Sequence, residues 1–267
     1  MTEEIIDYYD LALFNQASNY NLLDKKDRLR SVSDLEKLFF RIVTELSPSL
    51  FVEAGAKDAS ASRRARRHLS DARIVAFEAN PHTYKRFSDP EKNNTQRIEY
   101  THMALCDYTG DVTFNVRKIE GRASADGSGS LLKSQSADED NIAVTVNCTR
   151  LDSFFDGHEA DGLTIWMDVE GANKPVLTGA DKLFPKIKAL FIEVQDRPLW
   201  EGQWLTRDVS TYLHSKGLVP IARDFQSRYL YNILYVQKDI IWQPRVRHFL
   251  SEHLSYGRPD RVNVSNG

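Results

Sequence analysis

Apolar positions follow two rhythms along the chain. Leu35, Leu38, Phe39, Ile42, Val43 and Leu46 recur at steps of three, four and one, the spacing of one helical face. Ser33 with Glu36 three residues on has the form of a capping box and places the helix start there, and Pro48 closes it. The first stretch, of about 45 residues, reads as largely helical. From Leu50 onward, short apolar runs alternate with helical stretches. Strands are expected at 50–54, 73–78, 97–103, 142–146, 163–169 and 187–194. Helices are expected at 59–69, from Pro81, at 172–180 and at 209–216. Residues 111–116, after Thr109-Gly110, read as a hairpin partner for residues near Leu105, and 219–222 with 229–236 as a closing strand pair.

Strands alternating with helices predict an α/β fold with a mainly parallel sheet flanked by helices, and an antiparallel pair near its C-terminal end. The chain divides into an N-terminal helical extension (1–48), an α/β domain (49–238) and a C-terminal extension with a frayed tail (239–267). Residues 121–140, rich in Gly, Ser and Asp, are expected to form a long mobile loop able to act as a lid.

Composition narrows the class. With 267 residues, 41% hydrophobic and 27% charged, the chain is an ordinary globular one, which excludes disordered, collagenous and coiled-coil classes. A net charge of −3 predicts neither a nucleic-acid nor a membrane partner. Cys106 and Cys148 make no disulfide framework and read as buried thiols. MTEEIIDYYD lacks the basic-then-apolar order of a signal peptide, and no apolar run is of bilayer-spanning length, so a cytoplasmic location is expected.

In an open α/β sheet, ligands bind beyond the carboxyl ends of the strands. Those ends here carry Glu53, Glu78, Asp107, Asp168 with Glu170, and Glu193: a carboxylate at or near each one. Glu78 ends the second strand at the distance beyond a glycine turn where an acid accepts hydrogen bonds from ribose hydroxyls. Gly55 permits close backbone approach, but Lys57 and Ser60 stand where a G-x-G-x-x-G fingerprint needs glycines. A pyrophosphate therefore lacks its cradle, which favours S-adenosylmethionine over NAD, with Glu53 at its ammonium group and Lys57 near its carboxylate.

Asp168 is the first candidate for a base taking a hydroxyl proton. Glu170 shares its face if the strand continues, and the pair would raise one pKa or bind a divalent cation; metal dependence stays open. Glu193 and His102 are weaker base candidates. The basic run Arg63, Arg64, Arg66, Arg67 and His68 reads as a solvated helix face. Trp200, Trp204 and Trp242 suit either a sugar platform or the core.

Taken in order, Glu53-Ala54-Gly55-Ala56, Ala76-Phe77-Glu78-Ala79-Asn80-Pro81, Ala104-Leu105-Cys106-Asp107 with Gly110, Gly129-Ser130-Leu131, Thr149-Arg150-Leu151-Asp152 and Met167-Asp168-Val169-Glu170-Gly171-Ala172 resemble FkbM-type methyltransferases. The resemblance runs from about Phe51 to Val194, and its most specific part is Asp168-Val169-Glu170-Gly171. It implies a class I methyltransferase (Rossmann-like) fold, S-adenosylmethionine as donor, and O-methylation of a small hydroxylated acceptor, a sugar or natural product. The donor's residues would be Glu53, Gly55, Ala56, Lys57, Asp58, Glu78, Ala79, Asn80, Ala104, Leu105 and Asp107, with the last three beside the adenine. Asp168 and Glu170 would be catalytic. The family turn usually carries Asp, Asn and a second Gly where this chain has Glu53, Lys57 and Ala59; Trp166 replaces a usual Lys and Asn173 a usual acid. A non-catalytic binding protein with an altered donor pocket is the alternative.

Overall fold

The apolar stripe that starts at Leu35 lies on a helix longer than its own pattern. In a computed structural model, which describes residues 16–119, 122–124, 129–136, 141–158 and 160–255, α1 runs from Lys25 to Leu46. Asp24 caps it by accepting from the Lys26 N–H at 3.0 Å. Ser33 is an interior residue, so the start expected there is corrected. Lys25, Lys26, Arg28 and Arg30 give the first turns no apolar stripe, and the cap is set by a short acid outside it. Ser47 ends the helix in the left-handed region (φ 41°), just before Pro48.

The rest of the chain follows in order as β1 (Leu50–Ala54), α2 (Ser60–His68), β2 (Arg73–Glu78), α3 (Pro81–Phe87), α4 (Pro90–Thr95), β3 (Ile98–His102), β4 (Ala104–Leu105) and β5 (Gly110–Ile119). Then come β6 (Arg122–Ala123), β7 (Gly129–Ser130), β8 (Asn141–Thr149), α5 (Leu151–Phe154), β9 (Leu163–Met167) and α6 (Asn173–Gly179). β10 (Ile187–Gln195), α7 (Thr206–Ser215), β11 (Leu218–Arg223), β12 (Leu230–Gln237) and α8 (Pro244–Ser255) complete it.

Seven strands form the main sheet in the order β11-β12-β10-β9-β1-β2-β3. β3, β2, β1, β9 and β10 run parallel, and β12 is antiparallel to both β10 and β11. This is the mainly parallel sheet with an antiparallel C-terminal pair that the sequence predicts. Consecutive side chains point to opposite faces. Leu50, Val52, Leu163, Ile165, Leu190 and Ile192 enter one core with Leu151, Val176 and Leu213. Phe51, Ala189 and Phe191 enter the other with Leu35 and Phe39 of α1 and Val246 of α8. Trp166 joins that second core, stacked on Phe191 at 3.9 Å. An indole thus sits where a charged side chain would be buried without need. The strand order reverses direction between β1 and β9, so the switch point lies where Gly55 and Asp168 emerge.

Two expectations need correction. Residues 111–116 belong to β5, which pairs antiparallel with β8 from Gly110↔Cys148 to Arg117↔Asn141, while Leu105 pairs parallel with Thr149. The partner lies some thirty residues further on than local patterning suggests. The described parts of 121–140 are also held in place. β7 pairs with β5, Gln135 N donates to Leu199 O at 2.9 Å, and Glu201 N donates to Lys133 O at 2.8 Å. Gly129 is small because it must be: a Cβ there would lie 2.7 Å from the Phe114 ring. The expected tail lies outside the described residues beyond Ser255, and α8, with no strong stripe, was not anticipated. Among the described residues no helix is long and apolar enough to cross a membrane.

Candidate active site

β1 delivers the chain into a turn that only certain backbones can make. Gly55 has φ +79°, and a Cβ there would fall 1.7 Å from the Asp168 carbonyl oxygen. The Asp168 N–H in turn donates to Ala54 O at 2.9 Å. The ends of β1 and β9 are therefore locked backbone to backbone. Lys57 and Ala59 also adopt left-handed conformations (φ 47° and 58°), which cost L-residues about 1 kcal/mol each. The Asn and Gly usual there in the family are the residue types that accept this conformation most readily. The turn thus keeps its shape despite losing them.

Glu78 closes the turn from the neighbouring strand. Its two oxygens accept from the Lys57 N–H and the Asn80 N–H, each at 2.7 Å. Glu78 is 5% exposed and lines the cavity. Burial pushes its pKa up to about 7, against the pull of those backbone donors. Each oxygen still has a lone pair for a ligand hydroxyl.

The cavity opens at the carboxyl ends of β1, β2 and β9, with a volume of about 210 Å³, and is open to solvent on one side. It brings together Gly55, Lys57, Glu78, Ala79, Ala104, Leu105, Asp168 and Glu170. Sequence reasoning assigned no role to Phe77, Met103, Phe114, Gly129, Leu131, Val169, Ala172 or Val176, which also line it. Phe114, Gly129 and Leu131 come from the second sheet and the strap beyond it. The Gly129-Ser130-Leu131 resemblance and the lid expected at 121–140 pointed to Gly129 and Leu131; nothing pointed to Phe114.

Five expected donor residues stand elsewhere. Glu53, 3% exposed, accepts from the Ala61 and Ser62 N–H groups (3.2 and 2.7 Å), so it caps α2. It stands one residue short of the end of β1, where the first turn of α2 covers it. Ala56 is packed in the core. Asp58 pairs with Arg63 at 3.0 Å. Asn80 caps α3 through His82 N and donates to Ser124 O. Asp107 offers its carbonyl to Arg150.

The β9 strand stops at Met167, so Glu170 does not share a strand face with Asp168; it sits in a turn at φ 47°. Both still line the cavity. Asp168 is solvent-accessible yet ringed by protein, and desolvation raises its pKa to about 6 while Lys57 opposes the rise. An acid with that pKa is ionised at neutral pH and a better base than a free aspartate. Ser130 Oγ donates to Glu170 O at 2.7 Å, which fixes the turn. Among the described residues no three His, Cys, Asp or Glu side chains converge as metal ligands.

His102 stacks on Tyr84 at 4.9 Å, outside the cavity. The basic run on α2 is structural rather than a free face. Arg64 pairs with Glu36, and Arg66 donates to the carbonyls of Leu69, Ser70, Ala72, Gln96 and Arg97.

The chain is 27% identical over 179 residues to the 2-O-methyltransferase NoeI of Sinorhizobium fredii (strain NBRC 101917 / NGR234), covering 64% of this chain and 73% of that protein. Among solved structures, magnesium protoporphyrin IX methyltransferase (ChlM) from Synechocystis PCC 6803 with bound SAM aligns at a TM-score of 0.43 and 10% identity, over 78% of this chain and 80% of that one. Precorrin-6y C5,15-methyltransferase from Geobacter metallireducens GS-15 aligns at 0.38 and 12%, over 71% and 79%. The family model described as the methyltransferase FkbM domain matches residues 53–220. With well over half its length inside that match, this chain belongs to the FkbM methyltransferase family.

Proposed function

We propose that the protein transfers a methyl group from S-adenosylmethionine to a hydroxyl of a small acceptor, a sugar or a natural product. One observation carries the reading: the Gly55 turn, Glu78 and Asp168 open onto a single cavity from three adjacent strand ends. The site fits the donor. Gly55 lets the β1 turn close against the Asp168 backbone at the cavity wall, Glu78 offers acceptors for ribose hydroxyls, and Ala104 and Leu105 give an apolar wall for the adenine. The donor supplies an electrophilic methyl on a sulfonium, displaced in line.

The chain's own residues supply orientation and proton handling. Asp168 accepts the proton of the attacking hydroxyl. Glu170, held through its backbone by Ser130, lines the same end of the cavity. Methylation at oxygen is supported by the name of the NoeI relative, a 2-O-methyltransferase.

Calorimetry with S-adenosylhomocysteine tests the donor. Saturable binding is expected, and its absence from the folded protein would overturn the reading in favour of a silent binding module. Once an acceptor is found by screening methyl glycosides, Asp168→Asn is expected to slow methyl transfer by roughly 10²–10⁴-fold with donor binding kept.

A further inference from the structure

Lys57 lines the cavity in a backbone shape that its own side chain disfavours. Its φ of 47° lies in the left-handed region, where the Cβ of an L-residue crowds the following carbonyl oxygen. The relief comes from two neighbouring strands. Glu78, ending β2, accepts from the Lys57 N–H at 2.7 Å. Tyr100, on β3, donates its hydroxyl to the Lys57 carbonyl oxygen. Both backbone polar groups of Lys57 are thus tied to side chains from outside the turn.

The register explains why Tyr100 reaches so far. Glu53, Ala76 and Tyr100 stand level across β1, β2 and β3. Ala76 carries no side chain beyond Cβ, so a long side chain on β3 passes over β2 to the segment that leaves β1. The Tyr100 ring packs against the core that contains Ala56, Ala59 and Ala76. It also stacks on Tyr84 of α3 with centroids 5.0 Å apart, and Tyr84 stacks in turn on His102 at 4.9 Å. A ring held in this way leaves its hydroxyl little freedom to part from Lys57. Tyr100 itself does not line the cavity, whereas Lys57 and Glu78 do.

One hydrogen bond contributes free energy of the same order as the left-handed conformation costs. With its carbonyl released, Lys57 is free to relax toward an ordinary φ, and the N–H that Glu78 accepts swings away with it. Glycine at this position would not need the tie.

We propose that Tyr100 is a positioning residue for the donor: its hydroxyl locks Lys57 in the left-handed conformation, so that a turn lacking the residues that favour this shape is formed before the donor arrives. The link to the donor rests on the proposed function; the lock on the turn does not.

Tyr100→Phe keeps the ring and its stacking and loses only the hydroxyl. The first test is amide hydrogen exchange of the ligand-free protein, followed by NMR. In Tyr100→Phe the Lys57 amide should exchange roughly three- to tenfold faster, the value of one hydrogen bond, while the amides of Val75 and Phe77 inside β2 keep their rates. No acceleration at Lys57, or an equal acceleration at all three, would overturn the lock.

The second test is calorimetry with S-adenosylhomocysteine on wild type, Tyr100→Phe, Lys57→Gly and the double variant. Only molecules with the turn formed bind, so Tyr100→Phe should lower the affinity of wild type by roughly three- to tenfold. In the Lys57→Gly background the same change should cost at most about twofold, because glycine populates the left-handed region about as readily as the right-handed one. The loss of the lysine side chain cancels in this comparison. Equal losses in both backgrounds, or no loss in wild type, would overturn the positioning role. A folded wild type that binds no S-adenosylhomocysteine would overturn the donor reading and the positioning role with it, and the exchange rates would still decide the lock.

Discussion

The two sides of the cavity use the same residue type in opposite ways. On the side of β1 and β2, Glu53 and Glu78 are each clamped by two backbone N–H groups. On the side of β9 and β10, Asp168 and Glu193 have no such backbone clamp; burial raises the pKa of all four carboxylates, and on Glu193 three other acids add to the rise. A carboxylate fixed by amides is a rigid acceptor, suited to gripping a ligand's hydroxyls. One surrounded by its own kind is a place where protons come and go. Under the proposed function, that difference would make one side a holding half and the other a reacting half.

The largest break in this contrast should come from Gly55→Ala. A side chain there meets the Asp168 carbonyl and a positive φ together, so we expect a loss of about 3–5 kcal/mol in stability, read by urea denaturation. Glu78→Gln comes next. It keeps the shape but loses the charge, and S-adenosylhomocysteine affinity should fall by roughly 10–100-fold in calorimetry, the value of hydrogen bonds to a charged group.

The pH dependence sharpens the same point. Because the Glu78 pKa lies at about 7 and the ionised form is the better acceptor, donor affinity should be flat above that value. Below it, affinity should weaken by up to about tenfold per unit, a trend that Glu78→Gln abolishes. The sign for stability is reversed. The raised pKa favours the ligand-free fold most at low pH, and that contribution is lost as pH rises from the ordinary glutamate range through 7. The smallest effect is a gain: Ala59→Gly should stabilise the protein by about 1 kcal/mol, since the turn already demands a left-handed residue there.

What could be read in the sequence divides along similar lines. β1, β2 and the later strand pair were legible because apolar runs bounded by turn residues signal strands locally. The place of Glu78 at the cavity was legible because it ends a strand next to a glycine turn. Glu53 was misplaced because the amides of α2 take both its oxygens, and where that helix starts over the sheet is not written in the strand's own pattern. The pairing of β5 with β8, and the arrival of Phe114 and Leu131 at the cavity, depend on contacts between distant segments that no local rhythm encodes. The helix start at Asp24 was missed because a cap needs no apolar neighbour. The reach of Tyr100 to Lys57 emerges only once register is known.

The strap of residues 129–136 carries one further consequence. It is stitched at one end to the backbone of Glu170 by Ser130 and at the other to Leu199 and Glu201. Whatever displaces it tugs on the reactive turn and on the loop after β10 in a single motion. A cut anywhere along that seam would release the Glu170 turn and the Leu199–Glu201 segment together.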